Sequence, residues 1–246
     1  MITSTDNNLI KKVAKLADKK YRDEYDCFVV EGYRSVKDSL SKLEVEKILL
    51  SESAYKKYAG EFDCEVVSDK VFAKIASTES SQGVICVAKR KPTAQNFGEL
   101  CLFLDEVRDP GNLGTILRTA AACGFNTVIT KNCVDVYNPK VVRSSMSAIS
   151  VLDFMEEGSR ILEVLSGKGY SVLCADMDGE SVFSDNFRAQ SKKKVCLVVG
   201  NEANGVTDEV RSKATHIISL PMENGMESLN VAIAAAICMY QIKYDK

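Results

Sequence analysis

A chain of 246 residues that is 46% apolar with a net charge of −2 is long enough for two modest domains or one large one, and its charge argues against indiscriminate polyanion binding. Nine cysteines with no C-x-x-C spacing and a single histidine, His216, disfavour a disulfide framework, a zinc centre and a Ser-His-Asp triad. The longest apolar run, Val231 to Tyr240, is too short to span a bilayer and the polar N-terminus lacks a signal-peptide core, so a cytoplasmic protein with no membrane segment and no metal is expected.

Over the first 22 residues, Leu9, Ile10, Val13, Leu16 and Ala17 keep helical spacing. Lys11, Lys12, Lys15, Lys19, Lys20 and Arg22 stand against only Asp6 and Asp18, a local excess of +4. The pattern predicts a helix whose basic face lies along phosphates or is simply solvated. Apolar strands follow at Cys27 to Val30, Lys47 to Leu50, Cys64 to Val67 and Gly83 to Ala88, alternating with helical patterns, so residues 1–95 read as a small α/β domain. The polar stretch Lys89 to Asn96, with Pro92, places the boundary near residue 95 and a second domain over 96–246.

Beyond that boundary, strands recur at Cys101 to Leu104, Thr127 to Thr130, Ser171 to Ala175, Val195 to Val199 and Ile217 to Leu220, with helices between them, as in a parallel sheet covered on both faces. After the first of these, the turn Asp109-Pro110-Gly111-Asn112 opens a helix whose Leu113, Ile116, Leu117 and Ala120 form one stripe until Gly124. Arg118 falls about 140° from that stripe at roughly 100° per residue, either as a solvated helix arginine or as a site residue. Asn138, Lys140 and Arg143 begin another helix, amphipathic or RNA-contacting. The only Gly-x-Gly, Gly167-Lys168-Gly169, precedes a strand and reads as a helix C-cap, and no P-loop is present, which disfavours a nicotinamide dehydrogenase or an NTPase.

After Val199, Gly200 and Gly205 bracket Asn201, Glu202 and Asn204 in a polar loop. After Leu220, Pro221-Met222 leads to Ser228-Leu229-Asn230, where Ser228 is placed as the N-cap of a final helix, or as a site residue. That helix is apolar on every side for nearly three turns and needs a second burying surface, which a partner chain could supply.

Together the three segments resemble the SpoU (TrmH) branch of the SPOUT methyltransferases, which methylate RNA ribose 2′-hydroxyls with S-adenosylmethionine. The family pattern D-P-x-N-x-G-x-x-x-R, G-x-E-x-x-G and P-M-x-x-x-x-x-S-L-N appears as Asp109-Pro110 with Asn112, Gly114 and Arg118, then Gly200, Glu202 and Gly205, then Pro221-Met222 with Ser228-Leu229-Asn230. Upstream, Phe28-Val29-Val30-Glu31-Gly32 and Gln82-Gly83-Val84 are similar to the ends of the small substrate-binding domain that many members carry. Two departures are Ser81, where His is frequent before Gln-Gly, and Ser147, in a stretch where Gly is common.

The resemblance implies a parallel α/β domain with a C-terminal trefoil knot, preceded by a small α/β RNA-binding domain, in a homodimer whose pocket lies near the subunit interface. It assigns Gly200, Leu220 and Leu229 to S-adenosylmethionine, and Arg118 to the ribose hydroxyl with Asn112, Glu202, Ser228 and Asn230 in support. Arg118 acts there either as base or as stabiliser of the developing alkoxide. RNA contacts are assigned to Lys11, Lys12, Lys15, Lys19, Arg22, Glu31, Lys140 and Arg143. Ribosomal RNA, of the large subunit, stands ahead of transfer RNA, and ahead of a non-catalytic RNA-binding protein on the same fold.

Overall fold

In the computed structural model, which describes residues 1–189 and 193–244, the apolar runs build two separate sheets. One compact unit comprises residues 1–91 together with 135–150, and the other residues 92–134 and 151 onward. The single boundary expected near residue 95 therefore lies close to the break after Lys91, but the segment 135–150 crosses back into the first unit.

The first unit opens with α1 (Asn8–Lys15) and α2 (Lys19–Tyr25) instead of one continuous helix. Asn7 caps α1 by accepting from the Leu9 N–H at 2.9 Å, and Asp18 caps α2 by accepting from the Lys20 N–H at 2.9 Å. A carboxylate at that position ends one helix and starts the next, because it satisfies an otherwise orphaned donor. Then follow β1 (Cys27–Glu31), α3 (Tyr33–Ser39), β2 (Val45–Ser51), α4 (Glu52–Tyr58), β3 (Glu65–Val67), α5 (Asp69–Phe72) and β4 (Val84–Lys89). The sheet order is β1-β4-β2-β3, antiparallel at β4 and parallel between β2 and β3. Ile10, Val13 and Leu16 of the helical segment join Leu49, Ile85 and Val87 of the sheet in one apolar core.

Arg22 is only 2% exposed, so it is no contact for phosphate, contrary to its assignment above. Its Nη1 donates to the Leu16 and Ala17 carbonyls, each at 2.8 Å, and its Nε and Nη2 reach Asp135 at 2.8 and 2.7 Å. The planar fork thus satisfies carbonyls left open at the end of α1 and a carboxylate at once.

The second unit holds β5 (Leu100–Asp105), α6 (Pro110–Cys123) and β6 (Thr127–Lys131); α7 (Pro139–Ser144) then belongs to the first unit, where Tyr137 packs on Phe28 at 4.7 Å between ring centres. The chain returns through β7 (Asp153–Glu156), α8 (Arg160–Gly167), β8 (Ser171–Ser181), α9 (Asp185–Ala189), β9 (Val195–Val199), α10 (Asp208–Arg211), β10 (His216–Ser219) and α11 (Val231–Tyr244). All six strands are parallel, in the order β10-β8-β9-β5-β6-β7, with β9 and β5 buried along nearly their whole length in the middle. The sequence reading has no counterpart to β7, a four-residue strand with only two buried positions. It also ends β8 six residues early, because beyond Ala175 the strand is half-exposed and loses its apolar run.

Among the described residues no helix is long and apolar enough to cross a membrane, and no group of three or more His, Cys, Asp or Glu is arranged to hold a metal. Burial lifts the thiols of Cys86, Cys174 and Cys238 to about 12 and those of Cys101 and Cys133 to about 11, so they serve as small apolar groups rather than nucleophiles.

Candidate active site

In an open parallel sheet the loops at the carboxyl ends of the strands form the binding crevice. Here the loops leaving β5, β9 and β10 carry the three signature segments. After β5, Asp109 accepts from the Asn112 N–H at 2.7 Å and Pro110 occupies the first turn, so α6 starts with Asn112 fixed. After β9, Gly200 packs so tightly that an added Cβ would lie 2.2 Å from the Gly205 carbonyl carbon, which leaves room for glycine alone. Asn201 and Gly205 exchange backbone hydrogen bonds of 2.8 and 3.0 Å, and the Asn201 side chain donates to the Glu106 carbonyl at 2.9 Å.

Behind this loop lies an arrangement that the motif reading missed. Asp105, fully buried at the end of β5, accepts from the Thr207 N–H at 2.8 Å, the Thr207 hydroxyl at 2.7 Å and the Lys131 ammonium at 2.8 Å. Its signal in the sequence is a carboxylate closing an otherwise apolar strand, since a charge in that place needs dedicated partners. The pair pins the loop after β9 to the two strands beside it.

At the front, Asn112 bridges the segments. Its amide nitrogen donates to Glu202 at 2.8 Å, and its amide oxygen accepts from the Asn230 amide at 3.0 Å. An amide suits this position because it both donates and accepts, whereas a carboxylate would repel Glu202. Asn230 also accepts from the Ala232 N–H at 2.9 Å, so Asn230 caps α11, correcting the placement of the cap at Ser228. Ser228 is exposed in the preceding loop.

The loops after β9 and β10 enclose a cavity of about 620 Å³. Gly200, Leu220, Leu229, Glu202 and Ser228 all line it, with Ile218 and Met226 adding apolar wall. Arg118 does not. It is exposed on α6, six residues or about 9 Å of helix beyond Asn112, and it makes no hydrogen bond or ion pair with another described residue.

The candidate RNA contacts sit in the first unit. Lys11 pairs with Asp6 at 2.8 Å, Lys12 pairs with Glu46 at 2.7 Å, and the Lys15 ammonium lies 4.9 Å from the Tyr21 ring centre. Burial would raise the Glu46 carboxyl, but Lys12 and Lys89 outweigh it and hold it at about 2. Lys19 and Lys140 are exposed. Glu31 accepts from the Ser77 N–H at 2.7 Å, the Ser77 hydroxyl at 2.5 Å and the Thr78 hydroxyl at 2.8 Å, while Arg143 donates to the Ser77 carbonyl at 3.4 Å. Burial pushes Glu31 upward, yet these bonds and one from Ser81 leave its carboxyl below the usual range.

Residues 99–240 match the SpoU rRNA Methylase family. The chain belongs to that family. Residues 7–86 of this SpoU protein match the MRM3-like substrate binding domain. It is 28% identical, over 98% of both chains, to the 23S rRNA (guanosine(2553)-2'-O)-methyltransferase RlmP of Bacillus subtilis. Its fold superimposes on a TrmH-family protein from Porphyromonas gingivalis with a TM-score of 0.87 at 30% identity, covering 98% of this chain and 99% of that one. An AdoMet-bound rRNA methyltransferase from Sinorhizobium meliloti superimposes with a TM-score of 0.83 at 27% identity, covering 98% and 96%.

Proposed function

We propose that the protein is an S-adenosylmethionine-dependent 2′-O-ribose methyltransferase of ribosomal RNA, acting on the large-subunit RNA. The observation that carries this reading is the chain Glu202–Asn112–Asn230, which links one side chain from each signature segment at the edge of the cavity. The cavity fits the cofactor in size and lining, with Leu220 and Leu229 as apolar walls and the close-packed Gly200 backbone as a surface for hydrogen bonds. When bound, S-adenosylmethionine supplies an electrophilic methyl group.

What the chain must add is alignment of the ribose hydroxyl and compensation of the charge that develops on its oxygen. Asn112, fixed on both sides, and Ser228, exposed in the loop just before Leu229, offer polar groups for alignment. Arg118 is assigned to the charge, since a guanidinium is a poor base and a strong partner for an oxyanion. Its absence from the cavity lining leaves the site incomplete within one copy. A homodimer accounts for this: α11 packs on α6 and β9, yet Ile233 and Tyr240 on its outer side are about half exposed at 50% and 49%. The return of the chain from edge strand β10 to α11 over the central β9 supports a knotted C-terminal segment. Buried reduced cysteines suit the cytoplasm.

The decisive experiment maps 2′-O-methylation across total RNA from cells with and without the protein. One large-subunit nucleotide should lose its methyl group in the deletion strain. A change confined to a transfer RNA would redirect the substrate, and an unchanged map would overturn the enzymatic reading.

A further inference from the structure

The small sheet has two chemically different ends. Where β1 begins at Cys27 and β4 finishes at Lys89, cations are already answered: Glu46 takes both Lys12 and Lys89, at 2.7 and 2.8 Å, and Arg22 is buried on Asp135. Lys15 and Lys20 rest over Tyr21 at 4.9 and 5.5 Å. A face whose charges, Lys19 apart, are paired or laid on rings has less to offer a polyanion than its count of lysines suggests.

At the opposite end β1 finishes at Glu31 and β4 is entered through Gln82-Gly83. Between α5 and β4 runs the polar loop 77–82, Ser77-Thr78-Glu79-Ser80-Ser81-Gln82, with Ser77, Glu79, Ser80 and Gln82 exposed. Instead of facing solvent, the Glu31 carboxylate gathers the Ser77 N–H and the Ser77 and Thr78 hydroxyls. Gln82 accepts from the Tyr33 N–H at 2.9 Å through its amide oxygen, and its amide nitrogen bonds to no described residue. Gly83 closes the loop at φ +74 with so little room that a Cβ would lie 2.4 Å from the Ser51 hydroxyl. Arg143, exposed on α7, comes within 3.4 Å of the Ser77 carbonyl.

An exposed polar loop that is ordered by a half-buried carboxylate and a conformationally demanding glycine is built for recognition, because preorganisation returns its ordering free energy only on binding. The Glu31 charge is turned inward and met by donors, so the groups that remain outside are hydroxyl, amide and guanidinium together with the single carboxylate of Glu79. Those groups suit the base edges, 2′-hydroxyls and phosphates of an unpaired RNA segment.

We propose that loop 77–82, held by Glu31, is the RNA-recognition element of the small domain, with Ser80 and Gln82 reading an unpaired segment and Arg143 meeting its phosphate. Glu31 is a positioning residue that does not touch the RNA. The inference rests on the ribosomal RNA methyltransferase reading and goes beyond it by moving recognition away from the basic N-terminal face.

The test uses the full chain and, as probe, deproteinised large-subunit ribosomal RNA from cells lacking the protein, with affinity measured by filter binding over a range of salt. Glu31→Gln should weaken RNA binding about tenfold, roughly the effect of one charge-assisted hydrogen bond, and leave S-adenosylmethionine affinity unchanged. The sign is diagnostic, since removing a negative charge would strengthen polyanion binding if only electrostatics acted. Arg143→Ala should weaken binding and reduce the salt slope by about one. Should Glu31→Gln unfold the small domain, the double variant Ser77→Ala with Thr78→Val must give the same loss. Wild-type affinity in Glu31→Gln or in that double variant, or a loss confined to Lys15→Ala with Lys19→Ala, overturns the proposal. A wild-type chain that neither binds nor methylates this RNA overturns the ribosomal reading beneath it.

Discussion

Asp105 in the large unit and Glu31 in the small one perform the same operation in different surroundings. Each ends a strand and gathers the donors of a loop that crosses that strand's carboxyl end. Asp105 is fully buried and carries a cation, Lys131, at 2.8 Å; Glu31 is half-buried and, among the described residues, is held by hydroxyls and a backbone N–H alone. A buried carboxylate without a cation would be too costly, so the large unit needs Lys131, and the resulting pair permits little movement. The small unit uses weaker bonds near solvent, which hold a loop yet leave it able to adjust to a ligand. In the function proposed above, the difference separates a loop that holds Glu202 and Asn112 in place for chemistry from one that accepts an irregular polymer.

Arg118 stands outside both anchored loops, which makes it the sharpest probe of where the chemistry lies. Arg118→Ala should disturb the fold little, because the side chain is exposed and unbonded among the described residues. If it meets the developing alkoxide, single-turnover transfer of labelled methyl to ribosomal RNA should fall by about 10²-fold or more while S-adenosylmethionine affinity holds. Lysine should fail nearly as badly, having lost the planar fork. A near-normal rate in Arg118→Ala would return it to the status of a solvated arginine and place the chemistry wholly within the anchored set.

Breaking the stronger anchor comes next. Asp105→Asn leaves Lys131 without its main partner and offers the Thr207 N–H and hydroxyl a weaker acceptor, so it should destabilise the large unit by about 3–5 kcal/mol, the range for an uncompensated buried charge. Lys131→Met with Asp105→Asn should recover much of that stability, since no orphaned charge remains, without recovering cofactor affinity, because Thr207 still meets a weaker acceptor and the loop after β9 is held less firmly. Chemical denaturation and calorimetry with S-adenosylmethionine read the two quantities separately. If affinity returns along with stability, Asp105 is a packing device and the parallel with Glu31 fails.

Much of the site was legible because its segments are local: a Pro-Asn turn, a glycine-bracketed loop and a Ser-Leu-Asn entry each announce themselves over a few residues. Gly200, Leu220 and Leu229 do line one cavity, and Asn112, Glu202 and Asn230 do join. What stayed hidden depends on distance along the chain. Asp105 and Thr207 are 102 positions apart, and nothing in either segment names the other. Arg22 reads as one more basic residue until Asp135, 113 positions away, closes on it. The same cause moved residues 135–150 into the small unit, since no composition change marks a helix that packs backwards onto β1. The displaced cap was a local error: Ser and Asn are both favoured, and the bond from Asn230 to Asn112 selects the second.

The smallest effect concerns that returning segment. Ser147 has a left-handed backbone with φ of 72°, a conformation that disfavours a side chain by about 1–2 kcal/mol. Its hydroxyl donates to Asp38 at 3.2 Å, which offsets part of that strain by roughly 1 kcal/mol. Ser147→Ala keeps the strain and loses the bond, so it should destabilise; Ser147→Gly loses the bond but also the strain, so it should stay near the parent. Glycine should thus exceed alanine by about 1 kcal/mol in urea unfolding, the reverse of their order in a helix. Neither change should alter S-adenosylmethionine binding, because Ser147 and Asp38 both belong to the small unit. Alanine equal to or above glycine would mean that the turn relaxes freely, and that the Ser147–Asp38 bond adds nothing to the hold that Tyr137 and α7 give this segment on the small sheet.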